Sequence, residues 1–120
     1  MFSYYKSVGF VSDGNSCCFN YLGDKVFICA SVKDSFQVYR YDNLSACLTS
    51  KKLPKGSQDI SHVTVSGQET FVSSGTYIFV YDRVDLGRVY NIGHNVILQI
   101  IIGNLLLVYD DISQLTVIYF

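Results

Sequence analysis

The sequence predicts an all-β chain made of consecutive antiparallel sheets, each of about four short strands, and three observations lead there. First, a tight turn recurs as Leu22-Gly23-Asp24-Lys25, Ser66-Gly67-Gln68-Glu69 and Ile102-Gly103-Asn104-Leu105, with the glycines 44 and 36 residues apart. Second, each turn separates two apolar runs: Cys17–Tyr21 from Val26–Ser31, Ile60–Val65 from Thr70–Ser74, and Val96–Ile101 from Leu105–Tyr109. Third, another β-rich segment follows each pair, namely Phe36–Tyr39, Ile78–Tyr81 and Thr116–Tyr119. Self-similarity at roughly 40–45 residues with about four strands per unit marks the blade of a β-propeller. A β-sandwich would also give short strands at regular spacing, but it does not account for the repeated order of three hairpin-linked strands and a fourth.

Residues 1–15 read as a lead-in with one candidate strand at Val8–Val11, closed by the turn signal Asp13-Gly14-Asn15. The first blade covers 16–50, with strands at Cys17–Tyr21, Val26–Ser31, Phe36–Tyr41 and Ala46–Thr49. Lys33-Asp34 and Asp42-Asn43 are its polar hairpin loops. Lys51–Asp59 connects to the second blade and holds the only proline, Pro54, which cannot donate to a strand ladder and belongs in a loop. The second blade covers 60–92, with turns at Gly75-Thr76 and Arg83–Leu86. Gly93-His94-Asn95 leads into the third, a partial blade over 96–120 that stops in mid-strand at Tyr119-Phe120. Three blades are fewer than the roughly 4–8 that close a propeller, so the expected architecture is an incomplete propeller belonging to a longer protein. The open sheet face around 96–119 would then be large enough to mark an interface or an aggregation risk.

Composition supports a packed core: 49% of residues are hydrophobic and 15% aromatic. A net charge of −1 argues against a module that grips nucleic acid by itself. The nearest approach to a basic patch is Lys51, Lys52 and Lys55, read as a solvated loop. Cys17, Cys18, Cys29 and Cys47 form no Cys-x-x-Cys pair, and only His62 and His94 could assist them, so no metal or other cofactor is expected. Cys18 and Cys29 could face each other across a hairpin. The apolar stretch Val96–Tyr109 is too short for a spanning helix, which needs about 20 apolar residues, and its Gly-Asn turn favours a buried hairpin, so no membrane contact is expected.

Catalytic patterns are sparse. There is no Gly-x-Ser-x-Gly elbow and no glycine-rich phosphate loop, so no enzymatic activity and no small-molecule substrate is expected. Asp110 and Asp111 are neighbours whose side chains should point apart, and a polar turn is their expected role. The rival from another class is a small β enzyme using His62 or His94. The charged loops at Lys33, Asp34, at Lys51, Lys52, Lys55, and at Arg83, Asp85, Arg88 are the candidate contacts for partners, held by rigid strands.

Gly93-His94 and the strand endings Val38-Tyr39 and Val80-Tyr81-Asp82 resemble degenerate WD repeats, with tyrosine where tryptophan is usual. The order of Ser7–Val11, the VxxSFQVY segment Val32–Tyr39, Lys52-Leu53-Pro54-Lys55, Thr70–Gly75 and Ile92–His94 resembles the N-terminal end of the WD-repeat Utp21 family. Members of that family are subunits of the UTP-B module of the small-subunit processome. The resemblance implies a non-enzymatic scaffold in the nucleolus, acting in small-subunit pre-rRNA processing. Its implied partners are other WD-repeat subunits, with weak or indirect contact to pre-rRNA and small nucleolar RNA. It also implies a structural polar network in which His94 meets Asp111 or Ser113 and then Tyr119. A WD-repeat adaptor of another multi-protein complex, in ubiquitin ligation or trafficking, is the alternative.

Overall fold

The computed structural model describes residues 16–22, 25–40 and 43–120. The expected lead-in 1–15 and the turn residues Gly23, Asp24 and Asp42 lie outside them. Eleven strands follow in order: β1 (Ser16–Leu22), β2 (Lys25–Val32), β3 (Ser35–Arg40), β4 (Asn43–Lys52), β5 (Ile60–Ser66), β6 (Glu69–Ser74), β7 (Tyr77–Asp82), β8 (Asp85–Asn91), β9 (Val96–Ile102), β10 (Leu105–Asp110) and β11 (Leu115–Tyr119). The fold is all-β, with no helix among the described residues. It consists of three antiparallel meanders: β1-β2-β3-β4, β5-β6-β7-β8 and β9-β10-β11.

The hairpins explain the recurring turns. Each two-residue loop among the described residues opens on a residue with positive φ: Lys33, Gly67, Gly75, Arg83 and Gly103, all between 54° and 60°. That backbone hand matches the right-handed twist of the flanking strands. At Gly67 and Gly103 nothing lies within 4 Å of a would-be Cβ, so the positive φ alone is what favours glycine there.

The sheets stack through their first strands, with β5 beside both β1 and β9. The two central strands of the middle sheet, β6 and β7, are buried on both faces. Val72, Phe79 and Tyr81 point into one core with Cys29, Phe36 and Leu53 of the first sheet and its connection. Phe71, Ile78 and Val80, one residue out of phase, point into a second core with Val96, Leu106 and Val108 of the third sheet. A strand buried on both sides reads as a continuous apolar run, as Ile78–Tyr81 does. Tilted ring pairs mark both cores, Phe36–Tyr81 at 5.1 Å between centroids and Phe71–Phe120 at 4.7 Å.

Two expectations need correction. β4 runs to Lys52, so Lys51 and Lys52 sit on a strand and not in the connection, which is 53–59. β8 begins at Asp85, so Asp85 and Arg88 are strand residues and only Arg83-Val84 form the loop. Both are outer strands of their sheets, where backbone pairing to one neighbour suffices. The Val96–Tyr109 stretch is the β9–β10 hairpin, paired from Leu105 opposite Ile102 to Tyr109 opposite Leu98. Cys18 stands opposite Cys29 in the β1–β2 register.

Candidate interaction surfaces

A meander turns alternately at its two ends, and this sorts the candidate residues into two groups. One end gathers Lys33-Asp34, the 53–59 connection, Gly75-Thr76, the 92–95 connection and the 111–114 turn. The other gathers Gly67-Gln68, Arg83-Val84 and Gly103-Asn104.

At the first end, backbone hydrogen bonds tie the turns together. Leu53 N donates to Asp34 O (2.8 Å), and Ile60 N to Lys33 O (2.6 Å). The 53–59 connection is therefore strapped onto the Lys33-Asp34 turn. Within it, Ser57 N and Oγ both donate to Pro54 O, and Ser74 Oγ donates to Gln58 O at 2.6 Å. Of the predicted lysines, Lys52 pairs with Asp34 at 3.8 Å across solvent, Lys51 lies on β4, and Lys55 is exposed in the connection. The three do not form one basic surface. Beside Lys55 lies an open hollow of about 320 Å³, floored by Tyr77, Phe79 and Val89 and rimmed by Pro54, Ser57 and Thr76.

The predicted polar network is only partly assembled. His94 Nδ1 and Asp111 Oδ1 lie 3.9 Å apart, both near half-exposed. The connection is held more firmly by Asp111 N donating to Asn95 O at 3.0 Å. Ser113 has φ 64° and donates its N–H to Asp110 O. Tyr119 is 75% exposed and does not join. The reason is register: Leu115 pairs with Tyr109 beside the turn, whereas Tyr119 pairs with Leu105 at the far end of β10. The organising residue is Asp110, buried in the turn, whose Oδ1 accepts from Ile112 N (3.2 Å) and Gln114 N (2.9 Å).

Another polar residue with no assigned role in the sequence reading is Gln99. It is buried on β9, and its Nε2 donates to Thr64 Oγ1 of β5 (3.0 Å) and to Phe71 O of β6 (3.1 Å). Its Oε1 accepts from Ser73 Oγ. One side chain thus stitches the third sheet to the second. A lone glutamine within the apolar run Val96–Ile102 was the available signal, because a polar group survives there only if partnered.

At the other end, Arg83 Nε donates to Gln68 Oε1 (3.2 Å). Arg88 projects from β8 to Glu69, with its guanidinium 5.9 Å from the Tyr90 ring. His62 is half-buried on β5, with Ser61 Oγ 3.1 Å from Nδ1. Burial lowers its pKa below 6.5, partly opposed by a hydrogen bond to the Ile97 backbone. No group of three or more metal-ligating side chains occurs among the described residues.

No family model matches the chain, and no curated protein matches it. Among solved structures it is similar to the crystal structure of the computationally designed Ika4 protein. That likeness has a TM-score of 0.50 at 9% identity, over 97% of this chain and 99% of that one, and it concerns the fold alone. The class defined so far is a protein of successively stacked antiparallel β-sheets with its turns gathered at two ends.

Proposed function

We propose that this chain is a non-enzymatic WD-repeat-like scaffold whose three sheets are blades of an incomplete β-propeller, and that it works in the small-subunit processome in pre-rRNA processing. The observation that carries the scaffold reading is the sorting of charged turns onto two rigid ends. Lys33, Asp34 and Lys55 lie at one end and Arg83 at the other, each on a short loop fixed by strand pairing or backbone hydrogen bonds. Loops held in place lose little conformational freedom on binding, which suits recognition of protein partners. The processome assignment rests on the Val32–Tyr39 and Leu53-Pro54-Lys55 motifs. Its nucleolar location and its WD-repeat partners belong to the same proposal.

The test is to tag the protein in its native cells, recover it under mild salt, and probe for small-subunit rRNA precursors and WD-repeat subunits. Co-purification of both, with precursor accumulation on depletion, is the expected result. Recovery of neither, with normal rRNA maturation after depletion, overturns the assignment.

A further inference from the structure

We infer that the hollow beside Lys55 docks an extended acidic peptide of a partner protein, which lies along the edge of β8 with one aromatic side chain in the hollow and a carboxylate on Lys55. The inference stands on the hollow and the β8 edge and does not depend on the processome assignment.

Strand register builds the floor. β6, β7 and β8 share the row Val72–Phe79–Val89, and the next row on that face, toward the 53–59 connection, is Ser74–Tyr77–Asn91. Val72 and Phe79 are buried in the core with the first sheet, whereas Tyr77 and Val89 are 44% and 48% exposed. The apolar face thus runs out from the core into solvent, and the 53–59 connection walls it to leave about 320 Å³. That is at the lower end of the roughly 300–1,000 Å³ of ligand pockets, room for one large side chain. The Tyr77 and Phe79 rings lie 6.0 Å apart, so an aromatic guest meets aromatic neighbours.

The rim sets the charge. Ser57 N donates to Pro54 O at 3.1 Å, closing a turn with Lys55 and Gly56 at its centre and Gly56 at φ 88°. The turn holds Lys55 at the mouth, where it is the one charged residue lining the hollow. Asp59, further along the connection, does not line it. The ion pairs among the described residues join Lys52 with Asp34, Arg88 with Glu69 and His94 with Asp111, and Lys55 takes part in none. A free ammonium at the mouth of an apolar hollow complements an anionic group carried next to an apolar one.

β8 supplies the rest. It ends its sheet in the order β5-β6-β7-β8, so its outer edge has no strand partner among the described residues. A peptide strand added there continues both rows. One side chain falls beside Val89 and enters the hollow, and the side chain two residues along falls beside Asn91, at the end where Lys55 stands. The motif is therefore an aromatic residue and an acidic one separated by a single residue. A free small molecule suits the hollow less, because it is open to one side and ligand pockets enclose about 70–90% of their guest. An RNA strand would find one cation where nucleic-acid grooves carry a basic stripe.

The test titrates a fluorescent peptide with the core Glu-Thr-Phe-Thr-Glu into the folded whole chain; its symmetry presents the motif in either strand direction. Anisotropy should show saturable binding, and amide chemical shifts should change at 54–58, 74–79 and 85–91. Serine in place of the peptide's phenylalanine should weaken binding more than ~tenfold. Lys55→Glu should weaken it about five- to tenfold. Val89→Glu should weaken it by at least as much, with an unchanged far-ultraviolet circular dichroism spectrum. Asn104→Asp, on a turn at the other end, should bind as the wild type does. No saturable binding overturns the inference, as do shift changes centred elsewhere, equal binding of the serine peptide, or wild-type affinity in both Lys55→Glu and Val89→Glu. Tighter binding of oligouridine at the same amides, or shifts there that follow protein concentration without peptide, would give the hollow to RNA or to a second copy and overturn it too. If Val89→Glu fails to fold, Lys55→Glu and the peptide variants decide.

Discussion

Gln99 and His62 carry the sharpest expectations at the scale of the single residue. Replacing Gln99 by leucine keeps the volume but leaves Phe71 O and Ser73 Oγ buried without their partner. The expected loss is about 2 kcal/mol, since an orphaned buried polar group costs ~1–3 kcal/mol, and the urea midpoint should fall accordingly. Gln99→Glu should be no milder, because its carboxylate cannot donate to Thr64 or Phe71. For His62 the sign follows from burial. Its folded pKa lies below the unfolded value of 6.5, so the unfolded chain takes up its proton first as pH falls. The stability contributed by neutral His62 is complete above pH 6.5, declines as pH drops below it, and levels off once the folded form also protonates. Urea midpoints at pH 7.5, 6.5 and 5.5 should therefore decrease, and His62→Gln should flatten that part of the profile. An unchanged slope in the variant would remove His62 as its source.

At the scale of the element, the hairpins and the 110–114 turn show how local chemistry fixes register. Asp110→Ala removes the acceptor for Ile112 N and Gln114 N, and an expected loss of about 1–2 kcal/mol should appear in thermal melts. Asp110→Asn keeps one carbonyl oxygen and should recover part of it. Ser113→Gly should instead stabilise by up to ~1 kcal/mol, because a non-glycine residue pays strain at φ 64° that glycine does not. The strands around Gly67 and Gly103 were legible in the sequence because glycine turns and apolar runs coincide there. The extent of β4 was not: only Ala46–Thr49 read as a strand, since its ends Asn43 and Lys51-Lys52 are polar and are held by backbone pairing to β3. β8 was obscured in the same way by Asp85, Gly87 and Arg88. His94 lies 3.9 Å from Asp111, one of the two neighbours expected for it, whereas Tyr119 was assigned by analogy of position, and register places it at the far end of β10. Asp110 escaped because sequence does not tell which of two adjacent aspartates turns inward. Bulge-like irregularity between Tyr109 and Asp110 decides it.

At the scale of the whole molecule, two cores share one sheet, so damage to either reaches both. Phe71→Ala empties a fully buried site and removes the contact with Phe120, with an expected cost of about 3–5 kcal/mol. That approaches the total stability of a small domain, and equilibrium unfolding should show the variant largely unfolded at 37 °C. The middle sheet's position has one more consequence. Amides of β6 and β7 sit between two apolar layers and can reach solvent only when a neighbouring sheet lifts away. In deuterated buffer these amides should be the last to trade their protons, outlasting those of β11, and their exchange rates would report the opening of the entire stack.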